Sequence, residues 1–98
     1  MENEITLNSQ ELIDYVKNEV KQYDIIEISY NRLFMPGEVL NIESNEGEVE
    51  SLNLLLQLKG DLLNDTVRID LIDIKDDIVE IRHIKNEDEL IIIAVEDT

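Results

Sequence analysis

Residues 8–30, NSQELIDYVKNEVKQYDIIEISY, decide the fold, because the spacing of their apolar residues changes at Tyr23-Asp24. Before that point, apolar side chains recur at helical spacing and fall within about 100° of arc on a helical wheel. After it, apolar and polar residues alternate one by one, which is typical of a half-buried strand. The helical set is Leu12, Ile13, Val16, Val20 and Tyr23, and the alternating apolar set is Ile26, Ile28 and Tyr30. The sequence therefore predicts one helix followed at once by a strand.

The start of the helix is marked by a capping sequence. Asn8 is a residue type favoured at the N-cap, and Glu11 stands three positions later, where it can complete a capping box. Leu7 and Leu12 occupy the positions of a hydrophobic staple around this cap. We predict a helix over about 9–22.

The rest of the chain is dominated by short alternating segments. We predict strands at about 25–30, 33–43, 51–59, 66–74, 78–84 and 89–95. Residues 90–95, LIIIAV, are apolar on both faces, which favours an interior strand of the sheet. The last two predicted strands form a hairpin around residues 85–88.

Turns and irregularities are expected at four further places. Asn31-Arg32 is a plausible tight turn, and Pro36-Gly37 suggests an edge position, a bulge or a sharp bend. A shift of the apolar pattern by one residue at Leu71-Ile72 predicts a bulge, and Asp76-Asp77 predicts a turn. Residues 60–65 are expected to form a loop.

The order of elements predicts one domain over residues 1–98, mostly β within the α+β class. We expect the N-terminal helix to pack on a small five- to six-stranded antiparallel barrel. The alternative is a helix on one open antiparallel sheet.

Two local sequences resemble those of SH3-like barrels and, within them, the Sm-like proteins. They are Gly37-Glu-Val39 on the second strand and Leu52-Asn53-Leu54 on the third. This resemblance implies a barrel, and Sm-like proteins bind RNA as rings through that Asn and a later Arg-Gly pair. No Arg-Gly pair follows here, because Arg68 precedes Ile and Arg82 precedes His. The chain also looks like short, acidic, uncharacterised proteins of methanogenic archaea, which implies no known activity.

Charge is the strongest compositional feature. The chain has 24 Asp and Glu residues against eight Lys and Arg, for a formal net charge of −16. Such a surface repels nucleic acid and anionic membranes and attracts basic proteins. No apolar run approaches the roughly 20 residues that a membrane span needs, and the acidic N-terminus is unlike that of a signal peptide. We therefore expect a cytoplasmic protein with no nucleic-acid or membrane partner.

Catalytic and metal-binding patterns find little support. The single histidine, His83, lies on a predicted strand with Val79 and Ile81, which favours a half-buried structural position over a general base. Asp70, Asp73 and Asp76-Asp77 lack the glycine and spacing of a calcium loop, and they fit a solvated strand and turn. We predict no catalytic, cofactor-binding or metal-binding residues and no cofactor.

One segment stands apart from the acidic background. Residues 28–37, ISYNRLFMPG, contain no acid, although Glu27 and Glu38 flank them. Tyr, Arg, Phe and Met are enriched at the centres of protein interfaces. The alternative is that these residues simply build a hairpin and fill a corner of the core. The candidate partner-binding residues are Tyr30, Arg32, Phe34 and Met35.

These features favour a non-enzymatic protein-interaction module with a basic protein partner. Nucleic-acid mimicry is a sharper form of this hypothesis, in which carboxylates occupy phosphate-like positions. The alternatives are an Sm-like RNA-binding ring and a regulatory subunit of an enzyme.

The charge generates a prediction about nucleic acid. We expect no measurable binding of oligo(U) or duplex DNA at moderate salt, because nonspecific affinity comes mostly from clustered Lys and Arg on phosphates. Fluorescence anisotropy of a labelled oligonucleotide measures this. Sub-micromolar binding would contradict the prediction and favour the Sm-like hypothesis.

Overall fold

A computed structural model describes residues 2–58, 65–86 and 89–96. Within these residues the chain forms seven strands, two α-helices and one 3-10 helix. In chain order they are β1 (Glu2–Leu7), α1 (Ser9–Glu19), β2 (Ile25–Tyr30), β3 (Leu33–Asn45), β4 (Ser51–Leu58), β5 (Thr66–Asp70), α2 (Leu71–Ile74), the 3-10 helix Lys75–Asp77, β6 (Ile78–Asn86) and β7 (Glu89–Val95). The mostly-β class with one long N-terminal helix is confirmed.

The strands form one sheet in the order β1-β7-β6-β2-β3-β4-β5. Every neighbouring pair is antiparallel except β1 and β7, which run parallel. The sheet is open, because β1 and β5 stand at its two edges and are not paired with each other. The predicted barrel and the SH3-like and Sm-like resemblance are therefore not confirmed. The alternative of a helix on one open sheet describes the fold, except that the sheet is mixed.

Helix α1 begins as its capping sequence predicts. The side chain of Asn8 accepts a hydrogen bond from the Glu11 N–H at 2.8 Å, and the Glu11 carboxylate accepts one from the Asn8 N–H at 3.0 Å. The helix ends at Glu19, three residues before the predicted end. It stops there because the Asp24 carboxylate accepts the Lys21 N–H at 2.9 Å, which competes with helical bonding at that residue.

The core lies between α1 and one face of the sheet. The buried apolar residues of α1 are Leu12, Ile13 and Val16, with Val20 just beyond the helix end. They pack with buried residues that alternate along the strands, among them Ile26, Ile28, Leu52, Leu54, Leu56, Ile81 and Ile93. Each fully buried side chain of this size contributes about 1.5–3 kcal/mol of transfer free energy.

Strand β1 was not predicted. Its sequence, ENEITL, is short and mostly polar, and it pairs with β7 at the edge of the sheet. Acidic side chains on an edge strand discourage pairing with another chain. Because β1 covers the outer side of β7, the predicted interior position of β7 is confirmed.

The predicted strand at 66–74 is wrong in its second half. Strand β5 ends at Asp70, whose carboxylate accepts the N–H groups of Leu52 and Ile72, each at 3.0 Å. This side chain caps α2, so the apolar shift at Leu71-Ile72 marks a helical turn rather than a bulge. Asp76 and Asp77 belong to the 3-10 helix that follows, not to a simple turn.

The hairpin between β2 and β3 has the predicted turn. Asn31 and Arg32 adopt positive φ values of 46° and 65°, as a two-residue hairpin turn with the twist of its strands requires. The irregularity expected at Pro36-Gly37 lies further on, where the register with β4 shifts between Val39 and Asn41. Gly37 pairs with Ile26 of β2 and Leu58 of β4, so this residue is not at an edge, whereas among the described residues Pro36 pairs only with Glu27 of β2.

Close packing of β3 against β4 explains the glycine at position 37. A Cβ at this position would lie 3.0 Å from the Gln57 carbonyl oxygen, so a larger residue would push β3 and β4 slightly apart.

The remaining predictions concern the ends of the other strands, one loop and one turn. Strands β4, β6 and β7 agree with prediction to within two residues. The loop at 60–65 and the turn at 85–88 lie largely or partly outside the described residues. Over the described ranges, no helix is long and apolar enough to cross a membrane.

The cap on α1 generates a stability prediction. Asn8→Ala should lower the free energy of unfolding by about 1 kcal/mol, because the Glu11 N–H loses its acceptor. Urea denaturation of both proteins measures the change. Gln10→Ala, on the exposed side of the same helical turn, is the control and should stay within about 0.5 kcal/mol. Equal effects of the two substitutions would contradict the role of Asn8.

Candidate functional site

The four candidate partner-binding residues divide between two environments. Tyr30 and Met35 are half-buried and pack against the core. Arg32 and Phe34 are exposed, and Phe34 retains 59% of its accessible surface. Two of the four candidates, Arg32 and Phe34, are therefore exposed to solvent, and the other two contact the core.

The two exposed candidates have an exposed apolar neighbour in Leu33. Leu33 pairs with Tyr30 across the hairpin, and Phe34 pairs with Ser29. Leu33 is 54% exposed although it begins a strand. The first two residues of β3 thus present large apolar side chains to water.

A third exposed apolar residue comes from β6. The register between β2 and β6 shifts at Ser29 and Tyr30, which pair with Glu80 and Ile78. Val79 is the extra residue of this bulge and is 64% exposed. Alternation along the strand predicts that Val79 shares a face with Ile81 and His83. The sequence therefore did not predict the exposure of Val79, because it does not reveal the bulge.

We call Leu33, Phe34 and Val79 the tip surface. Its residues lie at the same end of three adjacent strands, β3, β2 and β6, of which β2 is the middle one. The turn is joined to the start of β6 because the Asn31 N–H donates to the Asp77 carbonyl at 3.3 Å. Leu33 and Phe34 are consecutive on β3, so their side chains leave opposite faces, and the tip surface extends around this end of the sheet. Exposed apolar residues of this kind suit contact with another protein and supply no catalytic group.

Charged groups surround the tip surface. Asp76 and Asp77 are exposed beside the turn, and Glu80 follows Val79. Arg68 and Arg82 each form an ion pair with a glutamate. Among the described residues the Arg32 guanidinium has no such partner, so it remains available to an acceptor on another molecule.

A separate feature is a hydrogen-bonded chain of three side chains beneath α1. His83 is completely buried. Its Nδ1 lies 2.7 Å from the Tyr15 hydroxyl, and its Nε2 lies 2.7 Å from Asp24 Oδ2. The Tyr15 and His83 rings meet edge to face, with centroids 5.6 Å apart. The network connects α1, the segment after it and β6.

Proton positions in this network follow from its chemistry. The Asp24 carboxylate accepts, so Nε2–H of His83 donates to it, and Nδ1 accepts from the Tyr15 O–H. Burial, followed by the nearby Glu19, Glu89 and Asp24 carboxylates, raises the pKa of Tyr15 to about 12. The phenol therefore keeps its proton at neutral pH and remains a donor.

The network fits a structural role. Both ring nitrogens of His83 are occupied by protein groups, so neither is free to take a proton from a substrate. Both ring nitrogens of His83 have partners, as expected, but the side chain is completely buried rather than half-buried. The sequence did not identify Tyr15 and Asp24 as its partners, because 68 and 59 residues separate them from His83.

This network generates a prediction with a pH dependence. Tyr15→Phe should lower the free energy of unfolding by about 1–3 kcal/mol at neutral pH, because buried Nδ1 loses its donor. The pKa of Tyr15 is about 12 in the folded protein and about 10 in an unfolded chain. Above pH 10 unfolding releases this proton, so rising pH destabilises the wild type. The difference between wild type and variant should shrink as pH rises from 9 towards 12.

Urea denaturation over this pH range measures both effects. Tyr23→Phe is the matched control, because Tyr23 is exposed and the chemical change is the same. A Tyr15→Phe variant as stable as the control at neutral pH would contradict the role of the network.

Comparison with known proteins places the chain in a family. No curated protein and no solved structure matches it. Residues 3–93 match the model of a family described as "Uncharacterized protein conserved in archaea (DUF2097)". The match extends from Asn3 in β1 to Ile93 in β7 and so includes the tip surface and the His83 network. The chain belongs to this archaeal family.

Proposed function

We propose that this protein is a non-enzymatic interaction module that binds a basic protein partner through the tip surface. The observation that carries the proposal is the exposure of Leu33, Phe34 and Val79 together at the end of three adjacent strands. Exposed apolar clusters beside polar groups are typical of protein interfaces. Arg32 beside them adds a residue type that is frequent in binding hot spots.

The position of the tip surface distinguishes it from other exposed apolar residues. Ile5 lies on edge strand β1, Tyr23 follows α1, and Val49 lies between β3 and β4. Single exposed apolar residues are normal on protein surfaces and need no function. The tip surface instead combines three such residues from two strands.

The net charge supports a basic partner. A formal charge of −16 on 98 residues produces a negative potential that accelerates encounter with basic proteins and opposes encounter with anionic ones. Affinity would then come from apolar contacts at the tip surface, and orientation from the carboxylates around it. Nucleic-acid mimicry is a narrower form of this proposal, and a regulatory subunit of an enzyme is an alternative that also requires a protein partner.

The test begins with stability. Phe34→Ala should lower the free energy of unfolding by well under 1 kcal/mol, because the side chain is largely exposed. A buried Phe would cost about 3–5 kcal/mol. A loss of that size would assign Phe34 to the core and remove the main residue of the tip surface.

The second step measures binding. Affinity capture from a native lysate, followed by mass spectrometry, identifies partners of the wild-type protein. Phe34→Ala should reduce affinity for a captured basic protein by about tenfold or more, as for an aromatic hot spot of about 1.4 kcal/mol or more. Val49→Ala is the control, because it removes an exposed apolar residue elsewhere. Equal binding by Phe34→Ala and Val49→Ala would contradict the proposal.

A further inference from the structure

In the part of the chain that the structure describes, no helix packs on one face of the sheet. Helix α1 packs on the face that carries Ile26, Ile28, Ile81 and His83, and the opposite side chains of the same strands point away from the core. We call this opposite side the open face. On the five strands β3, β2, β6, β7 and β1 it contains three rows of paired residues, none of them buried. The rows are Phe34-Ser29-Glu80-Ala94-Thr6, Pro36-Glu27-Arg82-Ile92-Glu4 and Glu38-Ile25-Ile84-Leu90-Glu2.

The open face combines carboxylates with aliphatic side chains. Its fifteen residues include five glutamates and one arginine, so the face has a formal charge of −4. Half-buried Ile25, Ile84, Leu90 and Ile92 lie between these charges. An occupant of this face therefore needs positive charge together with apolar surface. A second copy of the chain would bring a like-charged face against it, which is unfavourable.

A cavity lies at one corner of the open face. It has a volume of about 340 Å³ and lies where β1, β7 and β6 meet. It is lined by Glu4, Ile5, Thr6, Glu80, Ile92 and Ala94. Two carboxylates thus stand beside an aliphatic floor, and the volume is at the low end for binding sites. Glu80 also contacts Arg82 at 3.4 Å, an exposed ion pair that stabilises little and that a second cation can share.

We propose that the open face binds a basic segment of the partner, with one lysine or arginine side chain in this cavity. The ammonium or guanidinium group lies between Glu4 and Glu80. The aliphatic stem lies on Ile92 and Ala94, because such stems pack on apolar surface while the charge remains solvated. This inference rests on the proposed function and specifies the chemistry of the partner.

The register connects the cavity to the tip surface. Phe34, Ser29, Glu80, Ala94 and Thr6 form one row across the sheet. Neighbouring strands lie about 4.8 Å apart, so Phe34 on β3 and Ala94 on β7 are separated by roughly 14 Å. A partner that contacts Phe34 with an apolar side chain must therefore place its cation roughly 10–14 Å away.

The test uses a small probe in place of the partner. N-acetyl-lysine methylamide is titrated into the isotope-labelled protein, and backbone amide chemical shifts are followed by NMR. We expect saturable shifts at Glu4, Thr6, Glu80, Ile92 and Ala94, with a dissociation constant in the millimolar range. The uncharged analogue N-acetyl-norleucine methylamide should leave these signals unmoved.

Charge-matched variants provide the control. Glu4→Gln and Glu80→Gln should each weaken probe binding at least threefold. Glu48→Gln removes the same charge from an exposed position outside the open face and should change binding by less than 1.5-fold. The spectra themselves report whether each variant is folded. Shifts that increase linearly without saturation, or that weaken equally in all three variants, would overturn the proposal in favour of diffuse attraction.

The outcome is separable from that of the proposed function. Phe34→Ala should leave probe binding unchanged, because Phe34 does not line the cavity. If the probe fails to bind while Phe34→Ala still weakens partner capture, the cavity inference is wrong and the tip surface remains. If the probe binds as expected while Phe34→Ala captures partner normally, the tip surface is wrong and the cavity remains.

Discussion

The structure depends on the packing of one eleven-residue helix against one face of a seven-stranded sheet. A helix of this length is about 16 Å long and covers only part of one face. Its apolar residues Leu12, Ile13 and Val16 are completely buried there, and the alternating strand residues complete an aliphatic core. Among the described residues nothing comparable covers the opposite face, so that face must remain compatible with water. The distribution of glutamates across that face follows from this constraint.

His83 is the polar exception in the covered face. A buried imidazole without partners would cost the desolvation of its ring nitrogens, and the network with Tyr15 and Asp24 removes this cost. The same bonds fix the position of α1 relative to β2 and β6. Asp24 has a second role, because its carboxylate also ends the helix by accepting the Lys21 N–H. One side chain thus connects helix termination to helix docking.

Surface charge has a structural consequence as well. With 24 acidic residues and eight basic ones, most carboxylates cannot find a cation. Two of the lysines hold neighbouring segments together: Lys17 contacts Glu46 and Glu50 beyond β3, and Lys85 of β6 contacts Glu19 of α1. Hydrogen bonding to Glu46 raises the pKa of Lys17. The remaining carboxylates repel one another and leave an anionic surface, which is the basis for expecting a basic partner.

Local patterns predicted the elements that local interactions stabilise. The cap at Asn8, the stripe on α1, strand β2 and the turn at Asn31-Arg32 follow from residue types a few positions apart. Strand β1 escaped prediction because its polar sequence becomes a strand only beside β7, almost 90 residues later. Helix α2 escaped it because one side chain, Asp70, redirects the backbone. Closure of the sheet depends on pairing between its edges, which periodicity does not encode.

The candidate site, like the fold, was predicted from the sequence only in part. The absence of acids in residues 28–37 pointed to the hairpin, and Phe34 and Arg32 are exposed as that hypothesis requires. Tyr30 and Met35 differ because alternation places them towards the core. The exposure of Val79 and the rows of the open face can be seen only from the register between strands. A single bulge changes that register.

The most direct test of the account is the solvent accessibility of isoleucine methyl groups in the free protein. A neutral gadolinium chelate broadens the NMR signals of methyl groups that solvent can reach. We expect strong broadening for Ile25, Ile84 and Ile92 on the open face and little for Ile26, Ile28 and Ile81 beneath α1. Equal protection of both sets would show that the second face is also covered, and it would contradict the account of a one-sided core with an open binding face.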